Sequence, residues 1–533
     1  MHTAKMRLIA LLLVFCLLLT GCSFSPEFTQ KMAQEGLSVP FDSMQYSRPD
    51  LTSLQEALDH CVSLSASTDS VDTLMDAVYD FYELYDGFYT NYVLSEIHYS
   101  CNLSDTYWEE EYNYCLSQEP YAESIIEQLF YALAASPLKE ELESLEFWGD
   151  GFFDDYSSAP LIDETLLAMM EQESQLIGQY YTLEERYSAA DYTLDDALFR
   201  EMADLYIQLI RVRQEMADYL EYPDYPTLAY DLYYYRDYTP EEAVDYITRI
   251  GNVLYEPYFA LASSTIWEDI SFYCKEAETY HYMRSAAHAM GDPIAEAFDY
   301  MDNNGLYDID YDPNKLDSSF EIYIWDYFSP FVFMNAYCSP MDKLTFAHEF
   351  GHFAADYACD GTYAGVDIAE IHSQAMEYLS LCYGENTELL SKYKLANSLC
   401  IYVEQAAYAL FEHQVYHLRG DELTVENVSA LYQQVGKHFG FPVAEWDPRD
   451  YVTVLHFFSD PMYVISYVVS NDIAMQFYQK ELETPGAGLA LYKHILTSQE
   501  SYLLAFSREF GLVSPLSPDR LQSVADLFVS TKF

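Results

Sequence analysis

The chain has 533 residues, half of them hydrophobic, with 53 tyrosines and only five tryptophans. That length is ample for a large buried core and leaves room for roughly two to four domains. A net charge of -62, from 25 basic and 87 acidic side chains, argues against nucleic acid as a partner and against electrostatic docking on anionic lipid.

In chain order, Lys5 and Arg7 precede an apolar run from Leu8 to Leu19, which ends in Leu19-Thr20-Gly21-Cys22. A basic start, a short apolar segment and small residues read as a secretory signal rather than a spanning helix. The Leu-Thr-Gly-Cys ending resembles a bacterial lipobox. The resemblance implies cleavage after residue 21 and a lipid on Cys22, which anchors the mature chain at the outer face of a membrane. No later stretch is long and apolar enough to span a bilayer. Eight other cysteines follow in the mature chain, without a C-x-x-C pair or a dense framework. Most read as buried free thiols, although the compartment permits disulfides.

Residues 22–45 read as a tether, and a fold begins near Phe41. From about 51 to 235 the apolar positions follow a helical period, as in Leu51, Leu54, Leu58 and Val62, then Leu74, Ala77, Val78, Phe81 and Leu84. Ser53 and Glu56 are spaced for a capping box, and Thr239-Pro240-Glu241-Glu242 opens a later helix in the same way. The texture then changes. Phe320–Trp325 alternates and Pro330–Asn335 is short and apolar, so both read as strands, with an edge able to hold an extended peptide.

Next comes Thr345-Phe346-Ala347-His348-Glu349-Phe350-Gly351-His352-Phe353-Ala354, an H-E-x-x-H pattern. Ser339-Pro340-Met341-Asp342 reads as a helix start and Asp360-Gly361 as its stop. On a helix, His348 and His352 share a face and can grip one Zn²⁺, with Glu349 placed to act as general base on the attacking water. A third protein ligand is needed. Glu370, on a second helix packed back on the first, is the candidate; His372 lies close enough to compete, and Glu370 is also spaced to complete a capping box with Asp367. Glu377, two turns beyond Glu370, can hydrogen-bond a liganding imidazole. His413 and His417 repeat the four-residue step without a following Glu, and read as a helix surface pair.

These motifs together resemble the thimet oligopeptidase and oligoendopeptidase F family of zinc metallopeptidases. His348-Glu349-Phe350-Gly351-His352 is similar to the family's H-E-F-G-H. Asp367-Ile368-Ala369-Glu370-Ile371-His372-Ser373-Gln374 is similar to its D-F-x-E-x-P-S-Q, with His372 at the Pro position. The resemblance implies that Glu370 is the third zinc ligand. Downstream, His456-Phe457-Phe458 and Tyr463…Tyr467 resemble a family segment whose His and Tyr side chains bind the substrate carbonyl and the charge that develops on it. The implied catalytic set is Glu349, His456, Tyr467 and Tyr463. Some members carry a further Tyr where this chain has Ser470.

The implied fold is mainly α: a two-lobed helical clamshell around a deep substrate channel, with a small β element beside the H-E-x-x-H helix. Its domain spans residues 46–530, with a catalytic core over about 320–480. The reading is a lipid-anchored, extracytoplasmic bacterial zinc endopeptidase, carrying one Zn²⁺ per chain and acting on oligopeptides without an obligate protein partner. Two rivals share the same motifs. A helical zinc carboxypeptidase needs a fixed cation for the substrate C-terminus, for which Lys343 and Arg419 are candidates. A non-catalytic peptide-binding lipoprotein has no use for Glu349.

Overall fold

A computed structural model describes residues 39–531 except 146, 149–151, 155, 157–162, 191, 262–263, 271–272, 360–364, 443–445 and 499. The expected signal, Cys22 and most of the tether lie outside the described residues, as does the Asp360-Gly361 stop. Val39 and Phe41 already pack on the core, and the Phe41 ring sits 4.4 Å from that of Phe331.

The architecture is mainly helical with one small sheet. Three long helices come first: α1 (Leu51–Ser65), α2 (Val71–Cys101) and α3 (Thr106–Ala134). Each is opened by a polar side chain that accepts from an otherwise unpaired N–H: Asp50 from Thr52, Ser70 from Thr73, Asp105 from Tyr107. Asp50, one residue before the helix, takes the capping role at α1 that the Ser53–Glu56 spacing suggested. The apolar stripes of the three helices form one core, with Leu58, Phe81, Tyr85, Ile126, Phe130 and Trp148 in it.

A second, larger core takes up most of the rest of the chain. It is built from α4 (Glu164–Ala189), α5 (Asp196–Tyr219), α6 (Pro240–Val253), α7 (Glu276–Met290) and α8 (Ile294–Asn304), then the sheet, then α9 (Asp342–Cys359), α10 (Val366–Tyr383), α11 (Glu388–Cys400), α12 (Ala406–Val415), α13 (Val425–Phe439) and α14 (Ile465–Glu483). At α6 the expected capping box is complete: Thr239 accepts from the Glu242 N–H, and the Glu242 carboxylate accepts from the Thr239 N–H. Gly440, at φ 80°, ends α13 in the left-handed region.

Both expected strands form, as β2 (Ser319–Ile324) and β3 (Ser329–Met334), an antiparallel hairpin in the register Ser319↔Met334 to Ile324↔Ser329. The two-residue β1 (Tyr307–Asp308) adds on the other side of β3 in parallel, giving the order β1-β3-β2. A strand so short carries no readable alternation. As the central strand, β3 is buried along its whole length, which explains its continuous apolar run. The hairpin β2–β3 forms the floor on which α9 rests.

Cys61, Cys101, Cys115, Cys274, Cys338, Cys382 and Cys400 carry free thiols, of which Cys61, Cys115 and Cys274 are buried and the other four half-buried; the half-buried Cys359 thiol donates to the Leu496 carbonyl at 2.8 Å. His413 corrects the surface-pair reading. It is buried, with Nε2 2.9 Å from the Tyr230 hydroxyl and Nδ1 2.6 Å from the Ala409 carbonyl, while His417 falls beyond the end of α12.

Candidate metal centre

Helix α9 begins with a turn in which the Asp342 carboxylate accepts from the Ser339 N–H at 3.0 Å. The Ser339 hydroxyl in turn accepts from the Met341 N–H at 3.2 Å, so Ser339 and Asp342 cap this start as the sequence suggested, with regular helix from Asp342 onward. His348, Glu349 and His352 fall in its middle. The two imidazoles lie on one face with ring centroids 5.1 Å apart.

Helix α10 crosses α9 at Gly351. A Cβ there would stand 2.6 Å from the Ser373 Cα and 2.7 Å from the His372 carbonyl oxygen. Only a residue without a side chain allows this approach, and the approach brings Glu370 to the histidines. One donor atom from each of His348, His352 and Glu370 lies within 4.8 Å of the others, and Glu370 Oε2 is 3.5 Å from His348 Nε2.

His372, the competing ligand, is outside this group. It is buried with Nδ1 unpartnered, and its carbonyl accepts from the Tyr492 hydroxyl; burial pulls its pKa down to about 4. The capping-box alternative for Glu370 also falls away, because the cap of α10 is Gly365. The Asp367 carboxylate turns instead to the Ser466 hydroxyl at 2.6 Å, the Tyr238 hydroxyl at 2.9 Å and the Arg236 guanidinium at 3.5 Å.

The electrostatics favour a bound cation. Three carboxylates, Glu349, Glu370 and Glu377, surround His348; burial would lower its pKa, but the hydrogen bond to Glu377 and these charges raise it to about 9. Burial raises Glu349 to about 7, with His348 opposing and Glu370 and Glu377 adding to the shift. That places a general base near neutrality. His348 Nδ1 is 3.0 Å from Glu377 Oε1, the bond expected from the two-turn spacing. It aims Nε2, the remaining ring nitrogen, at the metal position.

The downstream residues converge on the same place. The Tyr463 hydroxyl donates to Glu370 Oε1 at 2.6 Å. Its ring stacks on His456 at 5.1 Å, and the Tyr467 hydroxyl is 3.3 Å from His456 Nε2. Tyr463 precedes α14 rather than sharing its face, since that helix starts at Ile465. Ser470 is used structurally: it accepts from the Gln374 amide at 2.8 Å, tying α10 to α14.

The loop that carries His456 is held by groups far away in sequence. Arg213 of α5 donates to the carbonyls of Phe457, at 2.9 Å, and Phe458. The Tyr234 hydroxyl donates to the Pro461 carbonyl at 2.8 Å, and Glu412 accepts from the Met462 N–H at 2.9 Å. These supports carry no local motif, and neither does Lys394, whose ammonium donates to Glu377 Oε2 at 2.7 Å.

Residues 41–159 match the Peptidase M3 N-terminal domain. Solved structures align over nearly the whole chain. One named PZ peptidase A, with an inhibitor, has 18% identity and a TM-score of 0.78, covering 92% of this chain and 99% of that one. Another, provisionally named oligoendopeptidase F, from Bacillus anthracis, has 19% identity and a TM-score of 0.76, covering 92% and 98%. The chain shares the fold of these peptidases. A third, also provisionally named oligoendopeptidase F, reaches 20% identity and a TM-score of 0.79 over 92% of this chain and 98% of that one. No curated protein sequence matches significantly. The shared fold, mainly helical and with the H-E-x-x-H motif on α9, agrees with the family resemblance read from the sequence.

Proposed function

We propose that the protein is a zinc-dependent endopeptidase that hydrolyses internal bonds of short peptides at the outer face of a bacterial membrane, tethered by lipid on Cys22. The observation that carries the activity is the convergence of His348, His352 and Glu370, with buried Glu349 between the histidines. Two imidazoles and one carboxylate are a donor set that suits Zn²⁺ and leaves a position open for water and substrate. When bound there, Zn²⁺ supplies Lewis acidity, lowering the pKa of water and polarising the scissile carbonyl.

Glu349 takes a proton from the attacking water and delivers it to the leaving amine. Tyr467 and His456 donate to the oxyanion that forms at the attacked carbon. Tyr463 holds the Glu370 carboxylate. The edge strand β2 offers main-chain groups to an extended peptide. A channel between helical lobes would admit flexible oligopeptides and exclude folded proteins. Among the described residues no helix is long and apolar enough to cross a membrane.

The carboxypeptidase alternative gains no support from its two candidate cations. Arg419 is paired with Asp218 at 2.8 Å, and Lys343 lies over the Tyr282 ring. The test is digestion of a mixed library of short peptides by wild type and Glu349→Gln, with bound zinc quantified in both. Internal cleavage by wild type, reduced at least about a hundredfold in the variant with zinc retained, is the expected outcome. Zinc binding without cleavage by wild type would favour a peptide-binding protein, and a C-terminal ladder the carboxypeptidase.

A further inference from the structure

We infer that Lys394 is a positioning residue for the metal centre, acting on His348 through Glu377. The inference rests on the zinc reading above and adds to it a residue that touches neither metal nor substrate. Lys394 belongs to α11, which follows the two helices that carry the ligands. Its side chain is fully buried. A buried ammonium is costly unless it is paired and hydrogen-bonded, and this one is directed at a single carboxylate: Nζ donates to Glu377 Oε2 at 2.7 Å and packs 4.8 Å from the centre of the Tyr378 ring.

The two oxygens of Glu377 are divided between two partners. Oε2 is held by Lys394 and Oε1 faces His348 Nδ1 at 3.0 Å. With one oxygen clamped, the carboxylate cannot rotate away from the imidazole. The ring of His348 is thereby fixed in one orientation, with Nε2 on the side of Glu370 Oε2, 3.5 Å away. The result is a continuous line, Lys394–Glu377–His348, ending at the metal position. It is anchored in the core at the end away from the metal: Tyr378, beside both Glu377 and Lys394, bonds through its hydroxyl to Ser398 and to Asn471. Without Lys394, Glu377 keeps its hydrogen bond to His348 but loses the contact that sets its rotamer.

The test is zinc affinity, measured by competition with a chromophoric chelator on the purified full chain. It compares wild type, Lys394→Met, Glu377→Gln and the double variant, with thermal melting of each metal-free protein alongside. Removing a group that orients a metal ligand typically weakens metal binding about 10- to 100-fold, and one further step away Lys394→Met is expected near the lower end, about tenfold. In the Glu377→Gln background the same substitution should change affinity by less than about twofold, because the group it acts through is gone. Lys394→Gln keeps an N–H donor on a long side chain. It is expected to stay within about threefold of wild type, which separates loss of the clamp from loss of core packing if Lys394→Met melts early. Unchanged affinity in Lys394→Met, or an equal loss with and without Glu377, overturns the role of Lys394 while leaving the zinc site standing. A wild-type chain that binds no zinc overturns the zinc reading itself, and the role of Lys394 with it.

Discussion

Tyr463 and Tyr467 are chemically alike, but the structure gives them different partners, so their variants should separate. Tyr463 donates to Glu370, the candidate metal ligand, whereas Tyr467 reaches His456. Tyr467→Phe removes a donor for the oxyanion. It is expected to lower kcat about a hundredfold with zinc content and KM nearly unchanged. Tyr463→Phe frees the Glu370 carboxylate and is expected to weaken zinc binding about tenfold, which chelator competition reads directly. If the two variants fail in the same way, the division of roles is wrong. From sequence the two tyrosines could be told apart only by position, because a phenol at a given spacing has no partner until another element arrives beside it.

At the scale of elements, the crossing of α9 and α10 depends on Gly351. Gly351→Ala places a methyl against backbone of the facing helix, and backbone has little freedom to give way. The helices must separate, at a cost of about 1–3 kcal/mol for overpacking, and Glu370 moves away from the histidines. Both a lower melting temperature and weaker zinc binding are therefore expected. A variant that melts lower but binds zinc normally would show that the crossing sets stability alone. The α2–α3 pair makes a different prediction. Burial raises the carboxyl groups of Glu96 on α2 and Glu119 on α3 to about 8, with the charge of Glu119 adding to the effect at Glu96. The folded state therefore holds protons that the unfolded chain has released above its ordinary carboxylate pKa, and the stability they contribute is lost as pH rises to 8. Buried His372 and His413, both lowered to about 4, act in the opposite sense below about 6.5, the ordinary pKa of histidine. Between those limits the raised carboxyl groups and His348, itself raised to about 9, all lower stability as pH rises. The melting temperature of the metal-free protein should fall from pH 6.5 to 8, and Glu96→Gln and Glu119→Gln should flatten the slope. A melting temperature that rises over this range would contradict the assignment.

At the scale of the whole molecule, the net charge of -62 gives the surface a negative potential that attracts cationic peptides and repels acidic ones. In the peptidase reading, cationic oligopeptides should show the higher kcat/KM at low salt. The advantage should shrink as ionic strength rises and the Debye length falls below about 10 Å. Equal rates at every salt concentration would place the charge on surfaces remote from the route of entry.

Much of the site is legible in the linear sequence, because helical periodicity is local. The four-residue step of His348 and His352 puts both on one face wherever α9 lies. The capping signal of α6 acts within a few residues of itself, and it forms as read. The strands β2 and β3 were marked by their own alternation and apolar run. What required the fold are the relations between distant segments. The contest between Glu370 and His372 for the third position was decided by the close crossing at Gly351, which turns Glu370 toward the histidines and leaves His372 in the core. The burial of His413 depended on which neighbours were in reach. The grip of Arg213, Tyr234 and Glu412 on the His456 loop, and of Lys394 on Glu377, joins residues without any shared local pattern. Hydrogen bonds have a range of about 3 Å, so a polar residue acquires its role only when packing delivers its partner, and packing is a property of the whole chain.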